Sequence, residues 1–175
     1  MTMRHAPHPL WRFSLRVYRA PGVQQACLAL QDDCGADVNL LLLCGWAGSA
    51  GRAIDLRRLR RAAACVAAWQ AQVIAPVRAA RRAIKRDPPR NAESALALRR
   101  QVLALELELE YVEQSMLAEL AAGWPAPPRP AAARGTTEAN LRRYLKLIGH
   151  DAHAAAAAHL KTIADACCEP APRSH

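Results

Sequence analysis

The chain has few glycines, few aromatic residues and almost no lysine. Its 175 residues include 8 Gly, aromatic residues make up 5% of the chain, and arginine outnumbers lysine 21 to 3. Alanine, leucine and arginine dominate instead, and this composition favours helices. No apolar run approaches the about 20 residues needed to cross a bilayer, so we expect no membrane insertion. An apolar content of 52% excludes disorder of the whole chain.

The sequence also lacks the signatures of secretion and of a metal site. Its first residues, MTMRHAPHPLWRFSL, contain no continuous apolar stretch and no small-residue cleavage site. There is no C-x-x-C and no H-E-x-x-H motif. Four of the six cysteines lie in apolar helical contexts, as reduced core cysteines do. We therefore expect a cytoplasmic protein without a disulfide framework, a bound metal or a cofactor.

The net charge of +9 makes this a basic protein, and the charge is unevenly placed. Residues 52–90 contain eleven Lys or Arg against two Asp, whereas residues 91–120 contain two Arg against six Glu. A basic segment followed by an acidic one predicts two elements that pack side by side and partly neutralise each other. The alternative is a basic face in residues 52–90 that binds nucleic acid weakly and without sequence preference, since no recognised nucleic-acid motif accompanies it.

Apolar spacing and chain breaks predict an all-α fold. We expect a flexible N-terminus (1–9), a compact bundle of about five or six helices (10–123), a Pro/Ala-rich linker (124–137) and a short helical, partly disordered tail (138–175). Within the bundle, the apolar run Leu40 to Leu43 predicts the most buried helix, because it is apolar on every side. Pro76 is expected to kink or split the helix that contains it.

The stretch GADVNLLLLCGW places an acid and an amide directly before that buried helix. Asp37 is predicted to cap the helix and complement its dipole. A second interpretation is a ligand site at this corner, where carboxylates of the DDCGAD stretch meet cationic side chains. The candidate binding residues are Asp32, Asp37, Asn39, Arg78, Arg81 and Arg82. The stretch imitates an Asp-rich magnesium–diphosphate box, but no second box exists in the chain, and no catalytic residue can be assigned.

The segment from residue 93 to 122 predicts one long helix with two apolar edges. Leu98, Val102, Leu105, Leu109, Val112, Met116 and Leu120 follow spacings of three and four residues, which are typical of a bundle seam. Leu96, Leu103 and Leu107 form a second edge, and Glu106, Glu110 and Glu113 line a polar side. The helix is expected either to close its own bundle or to pair with a partner protein or a second copy.

The strings WRFSLRVY, PGV, ACLALQDDCGADVNLLLLCGW and W…PVRAARRAIK carry a resemblance. From Leu10 to Glu119 the chain resembles an uncharacterised family of short proteobacterial proteins that is defined as a domain of unknown function. The resemblance implies a small, helical, cytoplasmic bacterial protein, and it supplies no catalytic residue.

These observations favour a non-enzymatic accessory or protein-interaction module. The first alternative is a protein or enzyme that binds a small anionic ligand at the Asp32, Asp37 and Asn39 corner, with Arg81 or Arg82 as the anion contact. The second is the nucleic-acid binder described above.

Overall fold

Helices account for nearly all of the chain that the computed structural model describes, namely residues 8–86, 92–125, 132–151 and 153–169. The α-helices are α1 (Pro9–Tyr18), α2 (Val23–Cys34), α3 (Val38–Ser49), α4 (Leu56–Trp69), α5 (Ala75–Arg86), α6 (Ala92–Ala122), α7 (Ala133–Leu147) and α8 (Ala154–Cys168). A π-helical turn (Gln70–Ile74) joins α4 to α5. These residues contain no strand, so the predicted all-α class is confirmed.

Helix α3 lies at the centre of the core. Its four consecutive leucines, Leu40 to Leu43, are each at most 3% exposed, as expected for a helix that is apolar on every side. Asp37 is its N-cap: Oδ1 accepts from the backbone N–H groups of Asn39 at 2.8 Å and Leu40 at 3.4 Å. The predicted cap and the predicted central helix are therefore both present.

Two glycines let other helices approach α3 closely. A Cβ added at Gly48 would collide with the backbone of Thr137 in α7, and one added at Gly45 would collide with Sγ of Cys167 in α8. The glycine-rich GWAGSAG stretch thus serves helix packing at these two positions.

Helices α7 and α8 belong to the same core as α3, although the sequence assigned them to a tail beyond a linker. Leu141, Leu145, Leu160 and Ile163 are at most 1% exposed and join the cluster formed by α1 to α4 and α6. Helix α7 already begins at Ala133, inside the predicted linker. The physical reason is that α3 is apolar on every side, and α7 covers the face that the other helices leave open. Residues 1–7, 126–131 and 170–175 of the predicted N-terminus, linker and tail lie outside the described residues.

Asn140 ties α7 to the loop between α3 and α4. Its Oδ1 accepts from the Ile54 backbone N–H at 2.9 Å, and its Nδ2 donates to the carbonyls of Arg52 and Cys44. Asn140 is fully buried, so its amide satisfies backbone groups that would otherwise lie unpaired in the core.

Pro76 interrupts the α4–α5 segment as predicted. The helix does not end there; instead, one of its turns widens into a π-helix just before the proline. A proline has no N–H to donate and clashes with the carbonyl four residues earlier. The chain accommodates both effects in the π-helical turn, in which Ala75 N–H reaches the carbonyl of Gln70. The helix continues as α5, which packs against α6.

Candidate functional site

Helix α6 buries its polar face and exposes part of its apolar one. Glu106, Glu113 and Gln114 are at most 3% exposed, whereas Leu98, Leu105 and Val112 are 50%, 46% and 41% exposed. At these three apolar positions the predicted seam is therefore not buried within the single chain, and the alternative of pairing with another chain stays a prediction. The reason is that α6 carries carboxylates that need partners, and those partners lie on the other helices of the bundle.

A chain of buried side-chain hydrogen bonds links α1, α6 and α3. The Ser14 hydroxyl donates to Gln114 Oε1, Gln114 Nε2 donates to Asn39 Oδ1, and Asn39 Nδ2 donates to Glu113 Oε2, each at 2.8 Å. All four residues are at most 6% exposed. The amide groups are orientated consistently along the chain, so every link has one donor and one acceptor.

Glu113 is a buried acid at the end of that chain. Burial, and secondarily the negative charge of Asp37 and a hydrogen bond to it, raise the pKa of Glu113 from 4.5 to about 9. Its second oxygen, Oε1, is buried and accepts no hydrogen bond from the described residues. A neutral Glu113 accounts for both facts, because its proton can be donated to the Asp37 carboxylate.

A second polar group joins the basic α5 to the acidic α6. Arg78 Nε donates to Glu106 Oε1 at 2.9 Å, and its Nη2 donates to Glu110 Oε1 at 2.8 Å. Arg81 also binds Glu106. The predicted neutralisation of the two segments is thus formed by these pairs, and Arg78 Nη1 additionally donates to Gln31 Oε1 of α2.

Burial and pairing act on these groups in opposite directions. Burial would raise the pKa of Glu106, but the hydrogen bonds and charges of Arg81 and Arg78 outweigh it and hold that pKa below its usual value. Burial raises the pKa of Glu110, and the charge of Arg78 offsets this only in part. Burial would lower the pKa of Arg78, but its two carboxylate partners raise it.

A cavity of about 290 Å³ lies between α1, α2, α3 and α6, with Arg78 of α5 at one side. We call it the α1–α6 cavity. Its polar lining includes Ser14, Asn39, Gln114, Arg78, Glu106 and Glu110. Its apolar lining includes Leu15, Leu28, Leu42, Leu103 and Leu107. The buried hydrogen-bond chain and the arginine–glutamate group therefore border one shared space.

Two aromatic polar groups line the same cavity. The indole Nε1 of Trp11 is buried and has no acceptor among the described residues. Tyr18 also lines the cavity, and burial, followed by the nearby Cys27 and Glu110, raises the pKa of its hydroxyl to about 12. The Tyr18 hydroxyl is therefore neutral at physiological pH, and the Trp11 indole N–H is a buried donor.

The six predicted binding residues separate into four groups. Asn39 and Arg78 line the α1–α6 cavity. Asp37 lines a second, more open depression of about 260 Å³ between the α2–α3 corner and α4, which is lined by none of the arginines that the structure describes. Asp32 and Arg82 form an exposed ion pair at 3.2 Å, and Arg81 binds Glu106.

Sequence reasoning missed Trp11, Ser14 and Gln114 as cavity residues. Local patterns hold no signal for Ser14 and Gln114, because their hydrogen-bond partners lie 75 to 100 residues away along the chain. They hold none for Trp11, because its place in the cavity depends on helices that are distant in sequence. The signal for Glu106 and Glu110 was present, since their spacing of four residues places them on one face of α6.

The remaining candidate chemistry is structural where the structure describes it. The described residues contain no group of three or more His, Cys, Asp or Glu side chains that could hold a metal. His8 and His153 cap α1 and α8 through their ring nitrogens. Burial raises the pKa of Cys27 and of Cys44 to about 12, so both are inert thiols at neutral pH. None of the described helices has the length and apolar character needed to span a membrane.

The fold and the cavity define a class: an all-α protein with a polar network buried under a long helix. The chain belongs to the family described as Protein of unknown function (DUF2390), whose model matches residues 9–117. That match covers α1 to α5 and most of α6, and it includes every residue of the α1–α6 cavity. Comparisons with curated proteins and with solved structures gave no match.

Proposed function

We propose that this protein is a non-enzymatic interaction module that pairs with a second copy of itself through α6. The observation that carries the proposal is the outer apolar row, which we define as Leu98, Leu105 and Val112. A helix that buries carboxylates while leaving such a row in solvent favours a surface that is covered in the assembled state.

The spacing of the outer apolar row supports a helical partner. Its members recur every seven residues, and the half-buried Val102, Leu109 and Met116 lie beside them. Together they form the alternating pattern by which helices interdigitate in coiled coils. A row of three residues spans about 21 Å of helix, which fits one partner helix laid alongside.

The charge of α6 supports a second copy in antiparallel orientation. The amino-terminal half of its surface carries Arg99, Arg100 and Glu93, with a net charge of about +1, and the remainder carries the exposed Glu108 and Glu119. An antiparallel copy brings the basic part of each helix towards the acidic part of the other, and a two-fold axis makes the apolar row self-complementary.

Sedimentation equilibrium tests this proposal. The full chain is expected to give a mass that rises with concentration from the 19.1 kDa monomer towards twice that value. Leu105→Glu should hold it at the monomer mass, because a charge would be buried at the centre of the interface.

The matched control is Leu107→Glu. Leu107 is exposed to a similar extent as Leu105, 45% against 46%, but lies roughly 200° around the same helix. This variant should associate like the parent chain. A parent chain that stays monomeric at millimolar concentration, or equal loss of association in both variants, would refute the proposal.

Nucleic-acid binding is a second candidate, supported by the outer face of α4. Arg57, Arg60 and Arg61 are exposed there, whereas Arg78, Arg81 and Arg82 are engaged by carboxylates. If this face binds phosphates, affinity for a DNA duplex should fall linearly with salt on logarithmic axes, and Arg60→Ala should lower the slope by about one. No affinity at low salt would eliminate this candidate.

A cytoplasmic location forms part of the proposal. All six cysteines are free, which is typical of a reducing compartment.

A further inference from the structure

We propose that the α1–α6 cavity binds a small, mainly apolar molecule with one uncharged hydrogen-bond acceptor at its polar end. This site shares Asn39 with the predicted corner of Asp32, Asp37 and Asn39, but neither aspartate lines it, and the ligand it selects is different. It is independent of the pairing proposed for the outer apolar row, which lies on another face of α6.

The apolar lining determines the chemistry of the larger part of the ligand. Leu15, Leu28 and Leu42 line one part of the cavity, and Leu103 and Leu107 of α6 line another. Leu28, Leu103 and Leu107 are 39%, 40% and 45% exposed, so the cavity opens to solvent between leucines. At about 290 Å³ it lies near the lower end of the range of about 300–1,000 Å³ found for ligand pockets. The ligand is therefore small, and its apolar part covers the exposed leucine rim.

The indole of Trp11 requires an acceptor. A buried N–H without a partner costs free energy, and nearly all such groups in folded proteins are paired. Trp11 is 3% exposed, lines the cavity, and has no acceptor for Nε1 among the described residues. A ligand oxygen would supply the missing partner once a small turn of the indole opens Nε1, which has almost no accessible surface in this structure, to the cavity.

The amides at the cavity wall also favour an acceptor. Asn39 Nδ2 and Gln114 Nε2 each carry two N–H groups, and the buried chain uses one of each. Both residues line the cavity. The polar end of the cavity thus offers donors, as a carbonyl or ether oxygen requires.

The charges of the cavity disfavour an anion. Arg78 is the one cationic residue that lines it among the described residues, and Nε, Nη1 and Nη2 of that side chain are bound by Glu106, Gln31 and Glu110 respectively. An anionic ligand would have to displace one of these partners and would lie near two carboxylates. A neutral acceptor avoids both costs.

Three molecules with the same eight-carbon chain test the head group. Octanamide, octanoate and octylamine are titrated into the full-length protein, and binding is followed by calorimetry and by the indole N–H resonances of the four tryptophans. The Trp11 resonance is assigned with Trp11→Phe. Octanamide should shift that resonance and bind at least tenfold more tightly than octanoate or octylamine.

A pair of tryptophan substitutions tests the location. Leu107→Trp fills the mouth of the cavity and should weaken octanamide at least tenfold. Leu105→Trp adds the same side chain to the opposite side of α6 and should leave octanamide binding unchanged. Trp11→Phe, which keeps an apolar ring and removes the donor, should weaken octanamide about threefold or more.

Four results would overturn the proposal: no shift of the Trp11 resonance with octanamide, tighter binding of octanoate or of octylamine, equal effects of the two tryptophan substitutions, or full octanamide affinity in Trp11→Phe. Each is separable from the pairing proposal, because Leu105→Glu abolishes pairing without altering the cavity.

Discussion

At the residue scale, the protonation of Glu113 makes the stability of this fold depend on pH. The native state keeps its proton up to about pH 9, whereas the unfolded chain releases it near pH 4.5. Between these values the native state binds one more proton than the unfolded state, so raising the pH favours unfolding. Glu113 lies buried at the end of the hydrogen-bond chain of Ser14, Gln114 and Asn39. Its burial lowers the free energy of unfolding at neutral pH, but it completes an ordered network of hydrogen bonds.

Glu113→Gln should therefore stabilise the protein, and increasingly so as pH rises. Its amide oxygen can accept from Asn39 and its N–H can donate to Asp37 without any proton uptake. The gain in unfolding free energy over the parent should grow by on the order of 1 kcal/mol per pH unit between pH 5 and 9 and level off above that. Urea denaturation across this range measures it, and a gain that does not change with pH would contradict a neutral Glu113.

Gly48 is a point of close approach between α3 and α7. Gly48→Ala should destabilise the fold by several kcal/mol, because the added methyl meets the Thr137 backbone, which a side-chain movement cannot relieve. Gly135→Ala in α7 is the control: its Cβ would meet nothing within 4 Å, and alanine should stabilise the helix by about 1 kcal/mol. Thermal unfolding of both variants distinguishes close packing from a general intolerance of glycine replacement.

At the scale of helices, α5 is held to its neighbours by ion pairs that differ in burial: Arg78 pairs with Glu106 of α6, and Arg82 pairs with Asp32 of α2. Arg78 and Glu106 have side chains that are 17% and 4% exposed, whereas those of Arg82 and Asp32 are 53% and 58% exposed. A buried carboxylate that loses its partner is costly, whereas an exposed pair contributes little.

Arg78→Ala should thus cost about 3 kcal/mol of unfolding free energy, and Arg82→Ala about 0–1 kcal/mol. Chemical denaturation of both variants at equal ionic strength gives the two values. Similar losses in both would show that the buried pairs do not hold α5 against α6.

Helix starts and helix interiors were predictable where the cause is local. Asp37 caps α3 through backbone amides two and three residues away, so both partners of this interaction are neighbours in the sequence. The face that α6 buries was not predictable in this way. Its spacing indicates an apolar seam, but the arginines that draw Glu106 and Glu110 inward lie about thirty residues earlier, on another helix.

For the whole molecule, α7 and α8 complete a core that extends beyond the residues shared with the family. The alanine-rich run before α8 suggested little burial, yet Leu160 and Ile163 are at most 1% exposed. They are buried because they pack against α2 and α3. The sequence of residues 138–175 alone does not indicate this packing.

A chain ending after Pro125 should consequently fail to fold. It would expose the face of α3 that α7 covers and would leave the Ile54 N–H and the Arg52 carbonyl without Asn140. Near-ultraviolet circular dichroism and urea denaturation would show the loss. A truncated chain with a cooperative transition at the parent's midpoint would contradict the role assigned to α7 and α8.

The central claim is that one face of α6 is covered only when two copies meet. Thiol labelling at introduced cysteines, read peptide by peptide by mass spectrometry at increasing protein concentration, tests it most directly. The cysteine of Leu105→Cys should react rapidly in dilute protein and at least tenfold more slowly once the sedimentation mass has doubled, while the cysteine of Leu107→Cys should react at an unchanged rate. Equal slowing at both positions, or none at position 105, would contradict the claim.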